Sequence, residues 1–159
     1  NLDMQYISKA IYKSCMIKKK IVEKDENEKN LRKTLNLGHT FAHSYEAACK
    51  YSKNLNHGEA VLLGLSSVSE FSMKKRILNP NVHQKIQDHI TCINKSLKIK
   101  NYFSKKDIRK LIKFMKNDKK NTNKKINLIL IKKIGQVTFN NFIDEKEILK
   151  FINSQFYSI

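Results

Sequence analysis

The stretch LNLGHTFAHSYE, residues 35–46, decides how the rest of the chain is interpreted. It contains no lysine in a chain that is otherwise rich in lysine, and it places His39 and His43 four residues apart. On a helix this spacing puts both imidazoles on one face, about one turn apart. Leu31, Leu35 and then Phe41 to Ala48 follow helical spacing, so residues Leu31 to Ala48 are predicted to form a helix that presents two imidazoles side by side.

A third imidazole, that of His57, follows a polar loop and stands directly before another predicted helix. Imidazole nitrogens bind zinc and similar ions, and such an ion often takes three side-chain ligands with one position open to substrate. The spacing permits a metal site, but two histidines four apart also occur as ordinary hydrogen-bonded groups, so spacing alone leaves both interpretations open. His83 and His89 lack such neighbours and are predicted to lie on the surface.

Arg32 and Asn36 precede His39 by seven and three residues, which places them on or near the same face of the predicted helix. A guanidinium can bind a carboxylate or phosphate through two hydrogen bonds, so these residues suit an anionic ligand. The alternative is an ordinary surface arginine and an asparagine at a helix entry. Lys119 and Lys120 lie in a basic loop that could reach a phosphate or could be a solvated turn.

The remaining segments predict a mainly α fold with one small β-hairpin near the C-terminus. Apolar residues at helical spacing predict helices over residues 4–23, 31–48, 59–75, 82–97, 104–115 and 144–156. Two short apolar runs, INLILI and VTFNNF, predict the two strands, with Gly135 in the turn between them. Gly38 is predicted to let a ligand or another backbone approach closely, and Gly64 is predicted to allow close helix packing.

Composition predicts one globular domain over residues 1–159, because 40% of the residues are hydrophobic and only four are glycine and one proline. Three cysteines without C-x-x-C spacing indicate neither a disulfide framework nor a cysteine zinc site. The longest apolar stretch is too short to cross a membrane and no signal peptide is evident, so a cytoplasmic location is predicted. The sequence begins without methionine, and we expect it to be part of a longer protein.

The formal net charge of +18 raises the hypothesis of a basic helical nucleic-acid-binding module. The basic residues are scattered along almost the whole length, which instead favours a solvated surface with some attraction for small anions. We therefore expect neither nucleic acid nor membrane as a partner.

Three motifs in order resemble the C-terminal domain of 3-dehydroquinate synthase. They are LRKTLNLGHTFAHSYE, NHGEAVLLGL and MKNDKK, the last of which precedes KINLILIKKIGQV. The resemblance covers essentially the whole chain. It implies the C-terminal helical domain of the dehydroquinate synthase-like fold. It also implies conversion of 3-deoxy-D-arabino-heptulosonate 7-phosphate to 3-dehydroquinate and phosphate, the second step of the shikimate pathway, with NAD and a zinc or cobalt ion as cofactors, in a homodimer.

The resemblance also implies roles for individual residues. His39 and His57 would be metal ligands, and His43 would contact the substrate and assist proton movement. Lys18, in IKKKIV, would hold the substrate.

The same resemblance implies that Arg32 and Asn36 contact anionic and hydroxyl groups of the substrate. Lys119 would be the lysine of the phosphate loop, with Lys120 as the neighbouring candidate. Together with Lys18, these cations favour a phosphorylated acid over a simple polyol as substrate.

Two departures from the family pattern limit what this chain can do alone. The family's third metal ligand, a glutamate in an AEVIK-like motif, would lie upstream, and the chain has no glycine-rich strand-turn-helix for NAD. We therefore expect a separate N-terminal NAD-binding domain as partner, and inactivity of the isolated chain. Ala42 and Asn56 are smaller departures that affect helix packing more than metal binding.

Three alternatives remain open from the sequence. One is another sugar-phosphate cyclase or a metal-dependent polyol dehydrogenase with the same histidine arrangement. The others are the basic helical binding module and a degenerate scaffold that has lost its chemistry.

Overall fold

The computed structural model of the protein describes residues 3–52, 54–116 and 125–157. The chain divides into two compact units, Asn1–Asn36 and Leu37–Ile159. The described residues are mainly helical, with one two-stranded sheet near the C-terminus, so the predicted fold class is confirmed.

The first unit contains helix α1, Met4–Lys24, and a short 3-10 helix, Leu31–Asn36. Between them the Asp25 carboxylate accepts backbone N–H groups from Lys29, Asn30 and Arg32 at 2.8, 2.8 and 3.0 Å. These bonds, that of Arg32 foremost, hold the pKa of Asp25 below its ordinary value. One carboxylate thus organises the loop that leads into the 3-10 helix.

The second unit consists of helices α2 to α6 and strands β1 and β2. Their bounds are α2 His39–Ala48, α3 His57–Lys74, α4 Pro80–Ile93, α5 Ile108–Lys116, β1 Lys125–Lys133, β2 Gln136–Asp144 and α6 Glu145–Gln155. Several helices begin where the sequence provides a side-chain cap. At α3, the Asn56 side chain accepts the Glu59 N–H while the Glu59 carboxylate accepts the Asn56 N–H.

Several predicted helices have different limits in the structure. The helix predicted over 104–115 begins as an α-helix only at Ile108, because residues 105–107 form a 3-10 helix. The continuous helix predicted from Leu31 to Ala48 is wrong, because residues 31–36 form a 3-10 helix and α2 begins only at His39. Gly38 separates the two with a φ of 78°, a left-handed conformation that interrupts an α-helix. The fourth helix begins at Pro80, which occupies its first turn, and ends at Ile93 instead of reaching residue 97.

Helices α2 and α3 pack closely at two glycines. A Cβ built on Gly64 would lie 2.4 Å from the carbonyl oxygen of Gly38 and 3.0 Å from the backbone nitrogen of Ala42. The predicted close approach of backbone at both glycines is therefore confirmed. Because the two helices carry the three candidate histidines, this contact sets the frame of the site.

The strands form an antiparallel hairpin with Gly135 in the turn at a φ of 79°. Strand β1 buries Ile126, Leu128 and Leu130 against the helices. Ser72 of α3 contacts this strand: its hydroxyl donates to the Val68 carbonyl at 2.7 Å and accepts the Ile131 N–H at 3.0 Å. The hairpin is thereby joined to the helix that begins with His57.

His83 is half-buried, so the prediction that it lies on the surface is wrong; His89 is exposed as predicted. The Nδ1 atom of His83 lies 2.8 Å from the Ser69 hydroxyl oxygen, which ties α4 to α3. Burial lowers the pKa of His83 from its ordinary value of 6.5; Glu70 opposes this effect and Lys74 reinforces it.

The stability of the chain is expected to decrease as the pH falls from about 7 to about 5. The unfolded chain binds a proton at His83 near pH 6.5, whereas the folded chain binds it only at lower pH, so protons favour unfolding across that interval. His83→Asn should reduce the slope of stability against pH. His89→Asn, on the same helix, is the control. Thermal unfolding midpoints measured across this range test it, and equal slopes for wild type and His83→Asn would contradict it.

None of the helices in the described residues is long and apolar enough to cross a membrane. Cys15, Cys49 and Cys92 are all free thiols, in agreement with the predicted absence of a disulfide framework.

Candidate metal and substrate site

Three histidines from the start of α2 and the start of α3 lie together in the second unit. The ring centroid of His39 is 5.4 Å from that of His43 and 6.1 Å from that of His57. His39 is partly buried, whereas His43 and His57 are exposed. The structure therefore brings the predicted ligand pair and the predicted proton-transfer residue into one cluster with a solvent-accessible side.

The imidazole of His57 is oriented by an acidic side chain. Its Nδ1 atom lies 3.0 Å from Oε1 of Glu46, a residue of α2 that is only 9% exposed. If Nδ1 carries the proton and donates it to the carboxylate, Nε2 keeps the lone pair that a metal ion would require.

His39 has a related arrangement. Its Nδ1 atom lies 3.3 Å from the Leu37 carbonyl oxygen, which can only accept a hydrogen bond. Burial, more than the nearby His43 and His57, lowers the pKa of His39 below 6.5, although the Leu37 carbonyl and Glu46 act in the opposite direction. The ring is thus neutral at neutral pH, the state in which imidazole binds metal.

The donor set of this cluster fits a divalent ion in part. Two imidazoles that bind one ion through nitrogens at about 2.1 Å have ring centres roughly 5 to 6 Å apart, close to the separation of His39 and His57. Within residues 3–52, 54–116 and 125–157, no group of three His, Cys, Asp or Glu side chains is arranged to hold a metal. The cluster could therefore offer two nitrogen ligands, and a complete site would need further ligands from outside these residues.

The other predicted site residues of the described chain belong to the first unit. Lys18 is exposed on α1. Arg32 donates from Nη1 to the Glu26 carbonyl at 2.6 Å, and Asn36 donates from Nδ2 to the Glu28 carboxylate at 2.8 Å. Both side chains are held by the loop that Asp25 organises.

The predicted phosphate-loop residues Lys119 and Lys120 lie outside the described residues. Their assignment stays a prediction.

Sequence reasoning gave no role to Glu46, although the opening motif ends on it. Glu46 stands three residues after His43 and seven after His39, so the helical period that linked the two histidines places all three on one face. That period could have identified the residue, but its contact with His57 depends on how α2 and α3 pack.

The family model described as 3-dehydroquinate synthase C-terminal matches residues 1–121. Among curated relatives, the 3-dehydroquinate synthase of Pelagibacter ubique is 45% identical over 154 residues, covering 97% of this chain and 42% of the relative. The 3-dehydroquinate synthase of Endomicrobium trichonymphae is 38% identical over 153 residues, covering 96% of this chain and 40% of the relative. The chain thus spans about two fifths of the length of these relatives.

Solved structures show the same fold. A 2-deoxy-scyllo-inosose synthase complexed with carbaglucose-6-phosphate, NAD+ and Co2+ superposes with a TM-score of 0.67 at 18% identity, covering 80% of this chain and 36% of that one. Another structure of 2-deoxy-scyllo-inosose synthase gives a TM-score of 0.62 at 16% identity, covering 80% of this chain and 33% of that one.

The match to the family model extends through α1 to α5, and relatives more than one third identical cover nearly the whole chain. The resemblance inferred from the three motifs is therefore confirmed. This chain belongs to the 3-dehydroquinate synthase C-terminal family.

Proposed function

We propose that this chain is the metal- and substrate-binding part of a 3-dehydroquinate synthase, which converts 3-deoxy-D-arabino-heptulosonate 7-phosphate to 3-dehydroquinate and phosphate. The observation that carries the proposal is the His39–His57 pair. Both imidazoles have Nδ1 next to an acceptor, and their rings lie 6.1 Å apart in a chain of this family.

The proposal includes a partner domain, because the matched relatives are more than twice as long as the region that this chain covers. An N-terminal domain would bind NAD and supply the third metal ligand, and residues 1–159 would form the C-terminal domain. A homodimer and a cytoplasmic location complete the proposal; the three free thiols are compatible with a reducing compartment.

When bound, a zinc or cobalt ion supplies Lewis acidity and NAD supplies a reversible hydride acceptor. His39 and His57 would hold the ion through Nε2. His43, exposed next to His39, would accept or return a proton on the substrate.

The first unit would contribute the contacts to anionic groups. Arg32 can bind a carboxylate or phosphate through its guanidinium, and its neighbour Asn36 can bond hydroxyl groups. The resemblance to the family also implies contacts with anionic groups for Lys18, Lys119 and Lys120. Several cations around one polyanionic substrate would stabilise charge and orient the reacting atoms.

Another sugar-phosphate cyclase is the second candidate, because 2-deoxy-scyllo-inosose synthase has the same fold. Relatives named 3-dehydroquinate synthase share 32% to 45% identity with the chain, compared with 18% for that enzyme, which favours the first candidate.

The test uses the longest gene product that contains this sequence, supplied with NAD and with zinc or cobalt. We expect phosphate release from 3-deoxy-D-arabino-heptulosonate 7-phosphate, loss of activity on treatment with a chelator, and recovery when the ion is restored. Phosphate release from another sugar phosphate only, such as glucose 6-phosphate, would support the alternative of another sugar-phosphate cyclase. A protein that binds no metal and releases no phosphate would contradict both and favour the scaffold hypothesis.

A further inference from the structure

Glu46 is the one buried charged side chain in the described residues 3–52, 54–116 and 125–157. Burying a carboxylate costs free energy unless a partner compensates for the lost water. The partner here is Nδ1 of His57, at 3.0 Å, across the packed helices α2 and α3. The carboxylate is therefore placed against the imidazole by the fold itself.

The contact has a specific consequence for the chemistry of His57. A neutral imidazole has one N–H donor and one nitrogen acceptor, and a carboxylate can only accept. The Glu46 contact therefore selects the tautomer with the proton on Nδ1 and leaves Nε2 as the ligand atom. His57 is 63% exposed at its side chain, so neighbouring atoms provide little other restraint on its ring.

His39 provides an internal comparison. Its Nδ1 also lies next to an acceptor, but that acceptor is the neutral backbone carbonyl of Leu37, which no side-chain substitution removes. The same tautomer is therefore selected at both candidate ligands. A backbone carbonyl selects it at His39, whereas a side-chain carboxylate selects it at His57.

We propose that Glu46 is a positioning residue for the metal site, which fixes the ring of His57 and presents Nε2 to the ion. The inference rests on the proposed function, since the ion is the divalent metal of the proposed synthase. Carboxylate partners of metal-binding histidines typically change metal affinity or activity by about 10- to 100-fold.

The experiment compares Glu46→Gln and Glu46→Ala with wild type in the longest gene product that contains this sequence. The dissociation constant for Co2+, measured by competition with a chromophoric chelator, is expected to rise roughly 10- to 100-fold in Glu46→Ala, which removes the acceptor, and by less in Glu46→Gln, whose amide oxygen can still accept from Nδ1. The visible absorption of bound Co2+ is expected to change, because the ligand geometry changes with the ring. The matched control is Glu59→Gln, which replaces a carboxylate near the same end of α3 that accepts the Asn56 N–H.

A purely structural role for Glu46 would lower the unfolding midpoint of the metal-free protein while leaving Co2+ affinity and absorption unchanged. That outcome would overturn the inference. A measurement on wild type keeps the test independent of variant folding: nitrogen NMR of metal-free protein should place the His57 proton on Nδ1 above pH 8. A proton on Nε2 would also overturn it.

Failure of the proposed function can be distinguished from failure of this inference. Wild type that binds Co2+ but releases no phosphate would refute the synthase activity, while the Glu46 variants would still decide the positioning role by affinity. Wild type that binds no Co2+ would refute both.

Discussion

His57→Ala in the longest gene product that contains this chain should eliminate both bound metal and phosphate release. The substitution would remove one of the two proposed nitrogen ligands, and the remaining imidazole of His39 would not hold an ion tightly alone. Loss of the Lewis acid is expected to lower kcat by at least about 1000-fold, equivalent to roughly 4 kcal/mol of transition-state stabilisation. Metal content and phosphate release measured on the same preparation test both expectations.

The control is His89→Ala, which removes an exposed imidazole from α4 and should retain wild-type metal content and activity. His57→Ala also removes the partner of the buried Glu46 carboxylate, so the thermal unfolding midpoints of both variants are measured beside metal content. Full metal content in His57→Ala would show that the ion is held elsewhere, and the assignment of His57 as a ligand would be wrong.

Gly64→Ala is expected to destabilise the second unit by about 1 to 3 kcal/mol. The added methyl would lie 2.4 Å from the Gly38 carbonyl oxygen, and backbone atoms cannot move aside as a flexible side chain can. Alanine's better helix propensity would recover only about 1 kcal/mol. The separation of α2 from α3 should also move His39 away from His57 and weaken metal binding.

Gly58→Ala is the matched control within the same helix. A Cβ at Gly58 would meet only Oδ1 of Asn56, at 3.5 Å, an ordinary contact. Its stability should equal or slightly exceed that of wild type. Urea unfolding followed by circular dichroism distinguishes the two variants, and equal midpoints would show that the α2–α3 contact tolerates a methyl group.

The histidine cluster illustrates how much could be predicted from the sequence. Local spacing places His39 and His43 on one face of α2. Capping places His57 at the N-terminal end of α3. The predicted strands and the cap at Asp144 likewise depend on nearby residues, and the structure confirms them.

The errors arose where local spacing competes with other effects. Leucines at helical spacing predicted a continuous helix, but Gly38 adopts a positive φ and packs against Gly64, a tertiary contact that spacing does not reveal. The same holds for Glu46 and His83, whose hydrogen bonds join different helices. Side-chain partners across helices depend on packing, which the sequence alone does not specify.

The bond from Ile131 to Ser72 affects how this chain avoids aggregation. The segment INLILI resembles an intermolecular β-zipper in composition, because three of its six residues are isoleucine, two are leucine and none is charged. A two-stranded sheet leaves edges on which another chain could add a strand. Here the hydroxyl of Ser72 occupies the Ile131 N–H that such a strand would require. The helix that carries a candidate metal ligand therefore also withholds one backbone donor of this segment from an added strand.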